Sequence, residues 1–171
     1  QVDFVLGVSS DKAVQVSSPY GATKFLMERL FDEYQERNKG VKYRVVRMGN
    51  VIYSIDSVLY KWKSLLEKGE EVIVTEPKAT RFFLTKNQSV DLILNGLETD
   101  SSKPYCDIPK STSIGNLLKA MSNKYLPKGQ ELKVKKIGLQ PNENLHERIL
   151  DDGLMPNEME RYTIEELERM I

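Results

Sequence analysis

The first fifty or so residues alternate between extended and helical patterns, and this alternation constrains the fold more than any other feature. Residues 2–9 are mostly apolar, and residues 42–48 are short and rich in β-branched side chains, so both are predicted strands. Ser18 and Pro19 mark the start of a helix between them, which runs from residue 20 to about residue 38. A strand, a helix and a second strand in this order are typical of a βαβ unit with parallel strands. The chain is therefore predicted to be an α/β protein.

The remaining sequence contains shorter elements. Apolar residues at helical spacing predict helices at 58–69, 90–97 and 114–121. Short apolar or alternating runs predict strands at 72–75, 81–85 and 133–139. Thr163 and Glu166 form a capping-box pattern, which predicts a short helix at 164–170. At 171 residues the chain has the length of one ordinary domain with a buried core.

The charge balance and two scarce residue types exclude several functional classes. Lys plus Arg and Asp plus Glu number 25 each, so no net field draws the chain to nucleic acid or to an anionic membrane. One cysteine, Cys106, and one histidine exclude an internal disulfide, suit a reducing cytoplasm and make a zinc site unexpected. No apolar run approaches the roughly 20 residues of a membrane span. We expect a cytoplasmic protein without a metal, a membrane span or a nucleic-acid partner.

The first predicted strand has the character of a central strand. It is apolar enough to be buried on both faces, and such a strand needs neighbours on both sides. Only one neighbour, residues 42–48, is evident in this sequence. We therefore expect a missing N-terminal half, supplied in cis or in trans.

Two pairs of residues at the first strand–helix junction have chemical potential. Tyr20 and Lys24 are four residues apart, so they share one helix face, although eight tyrosines make one such spacing expected by chance. An ammonium near a phenol favours the phenolate, which can take a proton from a sugar hydroxyl while a nicotinamide takes the hydride. Asp11 and Lys12 follow the carboxyl end of a parallel strand, where open α/β sheets bind ligands. The alternative for this second pair is an exposed turn with a solvated salt bridge.

Several segments occur in the order found in one family. Residues 9–13 (SSDKA), 20–24 (YGATK) and 47–51 (RMGNV) resemble the extended short-chain dehydrogenase/reductases. Residues 80–85 (TRFFLT) and 145–147 (LHE) narrow the resemblance to the UDP-N-acetylglucosamine 4,6-dehydratases of the polysaccharide-biosynthesis group. The resemblance runs from residue 1 to about residue 150 and covers only the later half of such enzymes. Their Gly-x-Gly-x-x-Gly loop, which cradles the cofactor's pyrophosphate, does not occur in this sequence.

The resemblance implies a domain organisation. The fold would be the later half of a doubly wound, Rossmann-like parallel sheet with a smaller α/β substrate lobe. Residues 1–55 would end the dinucleotide-binding fold and carry the catalytic helix. Residues 56–150 would form mainly the substrate lobe, with 81–98 returning to the main fold, and 151–171 would be a C-terminal tail.

The resemblance also implies roles for the residues at the junction. Tyr20 would be the base at the sugar's 4-hydroxyl, and Lys24 would support it and hold the ribose. Lys12 would remove the 5-proton, and Asp11 would help to expel the 6-hydroxyl as water. The cofactor would be NADP, with NAD as the alternative, bound by Ser9, Ser10, Tyr20 and Lys24.

The substrate side of the site is implied in the same way. Asn50, Arg81 and Glu143 match positions expected near the nucleotide-sugar, and a guanidinium suits a diphosphate. The alternative for Arg81 is a strand-edge salt bridge. The adjacent pair His146 and Glu147 is expected to fix local structure or a substrate loop rather than to perform chemistry.

Three departures from the family pattern concern the substrate cradle. Met48 replaces a tyrosine, residues 53–57 (YSIDS) replace Gly-Ser-Arg-Gly-Ser, and residues 140–144 (QPNEN) replace Arg-Pro-Gly-Glu-Lys. The last two changes remove three positive charges from a region that would face a diphosphate. An altered sugar nucleotide or a weakened enzyme is therefore expected.

These observations predict an NADP-dependent 4,6-dehydratase of a UDP-N-acetylhexosamine, with 5-inversion, in surface-glycan synthesis. Tyr20 favours the shorter, soluble members, because the longer, membrane-attached ones usually carry methionine there. The family also implies a homo-oligomer. Two alternatives stay open: a nucleotide-sugar 4-epimerase or reductase on the same scaffold, and a catalytically silent fragment or subunit.

Overall fold

A parallel strand pair crossed by one long helix forms the N-terminal layer. The computed structural model describes residues 2–55, 57–100, 103–108, 110–153 and 155–171. Strands β1 (Phe4–Ser10) and β2 (Lys42–Met48) pair in parallel over their full lengths, so that Ser10 lies opposite Met48. Helix α1 (Pro19–Arg37) connects them and begins where predicted, because the Ser18 hydroxyl accepts a hydrogen bond of 3.2 Å from the Gly21 amide. The predicted βαβ unit is confirmed.

A second, mixed sheet continues from β2. Strand β3 (Asn50–Val51) pairs in parallel with β5 (Thr80–Leu84), and β5 pairs in antiparallel fashion with β6 (Ser111–Ser113). The predicted strand at 81–85 corresponds to β5. The short strands β3 and β6 were not predicted, because two residues carry no periodicity and the Ser-Thr-Ser sequence of β6 has no apolar signal.

The remaining elements match the predicted helices and strands closely. Strand β4 (Val72–Val74) pairs in parallel with β7 (Val134–Lys136), which is shorter than predicted and exposed at all three residues. The four later helices are α2 (Val58–Glu67), α3 (Lys86–Glu98), α4 (Ile114–Tyr125) and α5 (Ile164–Met170). Both hydrogen bonds of the capping box predicted at Thr163 and Glu166 are present at the start of α5. Among the described residues, no helix has the length and apolar character needed to span a membrane.

Two apolar clusters form the core. The larger one joins α2, α4 and α5 to β4, and its fully buried members include Leu66, Leu117, Met121 and Leu167. The smaller one lies beneath β5 and α3, around Phe82, Leu84 and Leu92. The β5 strand has all five residues buried because it lies between these two clusters.

The apolar stripe of α1 does not belong to either cluster. Phe25, Leu26, Leu30 and Tyr34 are 44%, 59%, 43% and 52% exposed, and the buried residues of the helix are Gly21 and Glu28. Helical spacing identified the helix correctly, but within the described residues its apolar stripe is left facing outwards. An exposed stripe of this kind is typical of a surface that another polypeptide covers.

Candidate active site

The carboxyl end of β1 turns sharply into a buried polar corner. Ser9, Ser10 and Asp11 are at most 9% exposed, and a single 3₁₀ turn (Asp11–Ala13) follows the strand. The Ser10 hydroxyl donates to Asp11 Oδ1 over 2.7 Å and accepts from the Lys12 amide over 3.2 Å. Ser10 therefore caps the turn and fixes the carboxylate at the strand end, where parallel sheets place their ligands.

Lys12 is held at this corner by two carboxylates. Its ammonium lies 3.1 Å from Asp11 Oδ2 and in close contact with Oε2 of Glu147, which is 6% exposed. The same Glu147 oxygen lies 3.4 Å from Nε of Arg81 on β5. Burial and the neighbouring Asp11 charge raise the pKa of Glu147 from 4.5 to about 7, against the opposing effects of Lys12 and Arg81. The predicted Asp11–Lys12 pair therefore belongs to a partly buried charge cluster, in which the Lys12 side chain is 32% exposed, and it is not a fully solvated turn.

Glu147 is the member of this cluster that the sequence analysis did not assign to chemistry. The LHE segment drew attention to Glu147. Its contact with Lys12 could not be predicted, because the two residues are 135 positions apart in the sequence. The neighbouring His146 does act locally, because its Nδ1 lies 2.8 Å from the Thr80 hydroxyl and joins its loop to β5. That contact holds Glu147 against the strand end.

Tyr20 and Lys24 occupy the first two turns of α1, beside the Asp11–Lys12 turn. The Lys24 ammonium donates to the Val8 carbonyl over 2.8 Å and lies 5.8 Å from the centre of the Tyr20 ring, which is half exposed. A Cβ atom at Gly21 would collide with the Lys12 carbonyl oxygen. Glycine at this position therefore allows helix α1 to begin in direct contact with the charged turn.

A buried ion pair fixes α1 against the sheet. Glu28 follows Lys24 by four residues, and its carboxylate accepts two hydrogen bonds from Arg47 on β2, over 2.9 and 2.7 Å. Both side chains are at most 2% exposed, and Arg47 also contacts Asp151 at 3.0 Å. Tyr20, Lys24 and Glu28 share a helix face. The Glu28–Arg47 ion pair therefore also fixes the position of Tyr20 and Lys24 relative to the sheet.

The three predicted substrate residues converge on one cavity. Asn50, Arg81 and Glu143 line a pocket of about 400 Å³, whose walls include Trp62 and Phe83. Two of them touch, since Arg81 Nη2 lies 3.4 Å from Glu143 Oε1. Other lining residues are Val51, Ser54, Ser57, Val58, Leu59, Ile73, Val74, Thr75 and Ile114. The lining therefore combines apolar side chains with a few polar ones, which is typical of small-molecule sites.

The guanidinium of Arg81 connects this pocket to the strand end. It donates 3.0 Å hydrogen bonds to the Thr80 and Leu145 carbonyls and faces Glu143 on one side and Glu147 on the other. Arg81 is only 6% exposed, so it is held in place by the protein before any ligand binds.

The departures from the family pattern have visible structural consequences. Tyr53, where the family has glycine, keeps the left-handed backbone that glycine favours, with φ of 55°. Its hydroxyl lies 2.8 Å from that of Tyr125, and its ring meets Tyr60 edge-on. Ile55, which replaces an arginine, is 89% exposed, and Asp56 lies outside the described residues. Met48 packs against the smaller core cluster.

The fold and the strand-end site define a Rossmann-like protein of the short-chain dehydrogenase/reductase type. Over residues 1–167 the chain matches the family described as polysaccharide biosynthesis protein, and it belongs to that family. Among solved structures, that of Pen from Bacillus thuringiensis superposes with a TM-score of 0.83 at 24% identity, covering 99% of this chain and 61% of that one. UDP-glucuronic acid 4-epimerase from Bacillus cereus, solved with UDP-glucuronic acid and NAD, has a TM-score of 0.75 at 15% identity, covering 99% and 60%.

Curated relatives extend the comparison at higher identity. An uncharacterized membrane protein of Methanocaldococcus jannaschii is 34% identical, covering 99% of this chain and 51% of its own length. The inverting UDP-N-acetylglucosamine 4,6-dehydratase of Campylobacter jejuni is 32% identical, covering 92% and 47%. UDP-glucose 4-epimerase of Rickettsia rickettsii is 30% identical, covering 91% and 46%. The chain thus spans about half the length of these relatives.

Proposed function

We propose that this chain forms the catalytic and substrate-binding half of an NADP-dependent 4,6-dehydratase acting on a UDP-N-acetylhexosamine, with inversion at the 5-position, in surface-polysaccharide synthesis. The observation that carries the proposal is the Asp11–Lys12 pair at the end of β1, where the Asp11 carboxyl is buried and the Lys12 side chain is 32% exposed beside the start of α1. A dehydration needs one group that removes a proton and one that protonates a departing hydroxyl. This corner holds an amine and a carboxyl group side by side.

The side chains of this chain divide the proposed work between them. Tyr20 would take the proton of the sugar's 4-hydroxyl, with the Lys24 ammonium beside its ring supporting the phenolate. Lys12 would remove the 5-proton, which a 4-ketone acidifies, and Asp11 would assist the departure of the 6-hydroxyl. Arg81 would orient the nucleotide part in its pocket, together with Asn50 and Glu143.

The residues at the end of β1 fit a dinucleotide. The Ser9 hydroxyl is buried and has no hydrogen-bond partner among the described residues, so a polar ligand group would satisfy it. Ser9, Ser10, Tyr20 and Lys24 would hold the cofactor. When bound, NADP or NAD accepts a hydride from the sugar and returns one to it.

The rest of such an enzyme would complete the N-terminal layer. Strand β1 pairs with β2 on one edge, and the described residues provide no strand for its other edge. The exposed stripe of α1 adjoins this layer. We propose that a cofactor-binding half, in cis or in trans, pairs with β1, and that a second protomer covers the stripe.

A product assay tests the proposal. The protein, purified as its natural host makes it, is incubated with UDP-N-acetylglucosamine and NADP, and the products are followed by NMR. We expect a 4-keto-6-deoxy sugar nucleotide, and we expect Tyr20→Phe to abolish its formation because the phenol oxygen that takes the proton is gone. Phe25→Tyr, which adds a phenol one turn away, is the matched control that keeps activity. Full turnover by Tyr20→Phe would contradict the mechanism.

A 4-epimerase is the second candidate, favoured by the 30% identity to the Rickettsia rickettsii UDP-glucose 4-epimerase. Epimerisation needs the tyrosine and the lysine of α1 but no acid for a departing hydroxyl. Asp11→Asn separates the two activities. Loss of turnover in this variant supports the dehydratase, and unchanged formation of a 4-epimer supports the epimerase.

A further inference from the structure

The strand-end cluster contains more acids than bases. Asp11, Glu143 and Glu147 provide three carboxyl groups, and Lys12 and Arg81 provide two cations within contact distance of them. If all five groups were ionised, the cluster would carry a net charge of −1 next to a pocket proposed to bind an anion. One bound proton makes the cluster neutral.

The contacts of the three carboxyl groups differ, and those of Glu147 single it out as the group that takes this proton. Asp11 accepts a hydrogen bond on each oxygen, from Ser10 over 2.7 Å and from Lys12 over 3.1 Å. Glu143 faces the Thr75 hydroxyl at 3.0 Å and the Gln140 amide at 3.2 Å. Of these three carboxyl groups, Glu147 is the most buried after Asp11, and one of its oxygens is shared by two cations.

We propose that Glu147 is a positioning residue that exchanges a proton with Lys12, so that one transfer prepares both the base and the acid of the dehydration. The inference rests on the proposed function. Once the cluster has released its extra proton, the Lys12 ammonium faces a Glu147 carboxylate in direct contact, and this is the state from which the exchange starts. Transfer of one proton from Nζ to Oε2 leaves a neutral amine at Lys12 and a carboxylic acid at Glu147.

The proton balance closes over the reaction. The Lys12 amine takes the sugar's 5-proton, the C6–O bond breaks, and the electron pair of the broken C5–H bond forms the new double bond. The proton on Glu147 passes through the adjacent Asp11 carboxyl to the departing hydroxyl, which leaves as water. Lys12 is then an ammonium and Glu147 a carboxylate, as at the start. The raised pKa of Glu147 suits a group that must both accept and release a proton near neutrality.

Arg81 gives this exchange a fixed geometry. It approaches the shared Glu147 oxygen from β5, while Lys12 and Asp11 approach from the turn after β1. The contact with Arg81 therefore holds the Glu147 oxygen in place even if the Asp11–Lys12 turn moves. The proton-transfer distance is set by two different strands.

The kinetic test compares two glutamates that both contact Arg81. In the protein purified as its host makes it, Glu147→Gln keeps the size of the side chain but cannot exchange a proton. We expect kcat for the 4-keto product to fall on the order of 10²–10⁴-fold with little change in KM. The wild-type increase of kcat as the pH rises through about 7, where Glu147 ionises beside Asp11, Lys12 and Arg81, should disappear. Glu143→Gln, which does not contact Lys12, should raise KM and keep this pH profile. Wild-type kcat and pH profile in Glu147→Gln would overturn the inference.

A titration without substrate separates this inference from the proposed function. The ¹³C NMR signal of the Glu147 carboxyl, assigned by its loss in Glu147→Gln, should shift with a midpoint near pH 7. In Lys12→Met the midpoint should rise, because the nearby cation that favours the carboxylate is gone. A midpoint that Lys12→Met leaves unchanged would overturn the inference even if the 4-keto sugar forms. If no 4-keto sugar forms but the midpoint moves, the proposed function fails and the proton coupling stands.

Discussion

The two ends of the molecule are stabilised in different ways. In the lobe built from α2, α4 and α5, apolar side chains such as Leu66 and Leu117 are fully buried against each other. In the β1–α1–β2 layer the most buried side chain of the helix is charged, since Glu28 pairs with the buried Arg47 of β2, while Leu26 and Leu30 of the same helix face outwards. The lobe is stabilised by apolar contacts among its own elements. The β1–α1–β2 layer is held together in part by ion pairs and exposes an apolar surface.

The proposed site lies in the charged region. Burying charge costs free energy unless partners and hydrogen bonds compensate it, so charged groups are buried where geometry matters more than stability. The buried pairs Glu28–Arg47 and Glu147–Arg81 and the partly buried pair Asp11–Lys12 lie around α1 and the end of β1. The apolar lobe supplies a rigid wall for the pocket beside them.

Breaking the ion pair of the charged layer should have the largest effect on stability. Glu28→Gln removes one partner and leaves the Arg47 guanidinium buried without its main counter-charge, so we expect a loss of about 3–5 kcal/mol in the free energy of unfolding. Asp32→Asn breaks the exposed Arg29–Asp32 pair of the same helix and should cost less than about 1 kcal/mol. Urea denaturation measures both. Equal losses in the two variants would show that the buried pair does not fasten the layer.

Truncating leucines in the two regions should sharpen the contrast. Leu66→Ala opens a cavity in the closed lobe and should cost about 2–5 kcal/mol. Leu26→Ala, on the exposed stripe of α1, should change the stability of the isolated chain by about 0.5 kcal/mol or less. The same denaturation experiment applies. A large loss at Leu26 in the isolated chain would mean that the stripe is already covered.

The pH dependence of stability should reveal Glu147. An unfolded glutamate ionises near pH 4.5, whereas the folded one keeps its proton until about pH 7, so between these values the unfolded chain binds fewer protons. Stability should therefore fall as the pH rises through this window, by at most about 3 kcal/mol. Glu147→Gln lacks this loss and should gain stability relative to wild type from pH 4.5 to 7. A constant difference between the two proteins across the window would contradict the raised pKa.

The helices of the apolar lobe and the βαβ unit could be predicted from the sequence, because periodicity and caps reflect local physics. Strand β2 has the predicted bounds, and α5 has the predicted capping box. Strand β6 escaped prediction because its Ser-Thr-Ser residues are buried through hydrogen bonds to distant segments, such as the Ser111 amide to the Glu160 carbonyl at 3.0 Å. The exposure of the α1 stripe was not predicted, because periodicity identifies an apolar helix face but does not show what covers that face.

The candidate site was also predictable in part, because some of its contacts are local in sequence and others are not. The Asp11–Lys12 and Tyr20–Lys24 pairs are local, and their spacing places them at one junction. The contact between Lys12 and Glu147 joins residues 135 positions apart, and only the fold brings them together. The roles assigned to these residues stay predictions until activity is measured.

Deuterium incorporation during turnover tests the central claim most directly. The protein, purified as its host makes it, is incubated with UDP-N-acetylglucosamine and NADP in deuterated water, and the product is examined by NMR. If the strand-end amine and carboxyl group perform a dehydration with inversion, the product is a 4-keto-6-deoxy sugar with deuterium at the 5-position. A 4-epimer with hydrogen retained at the 5-position would contradict this account.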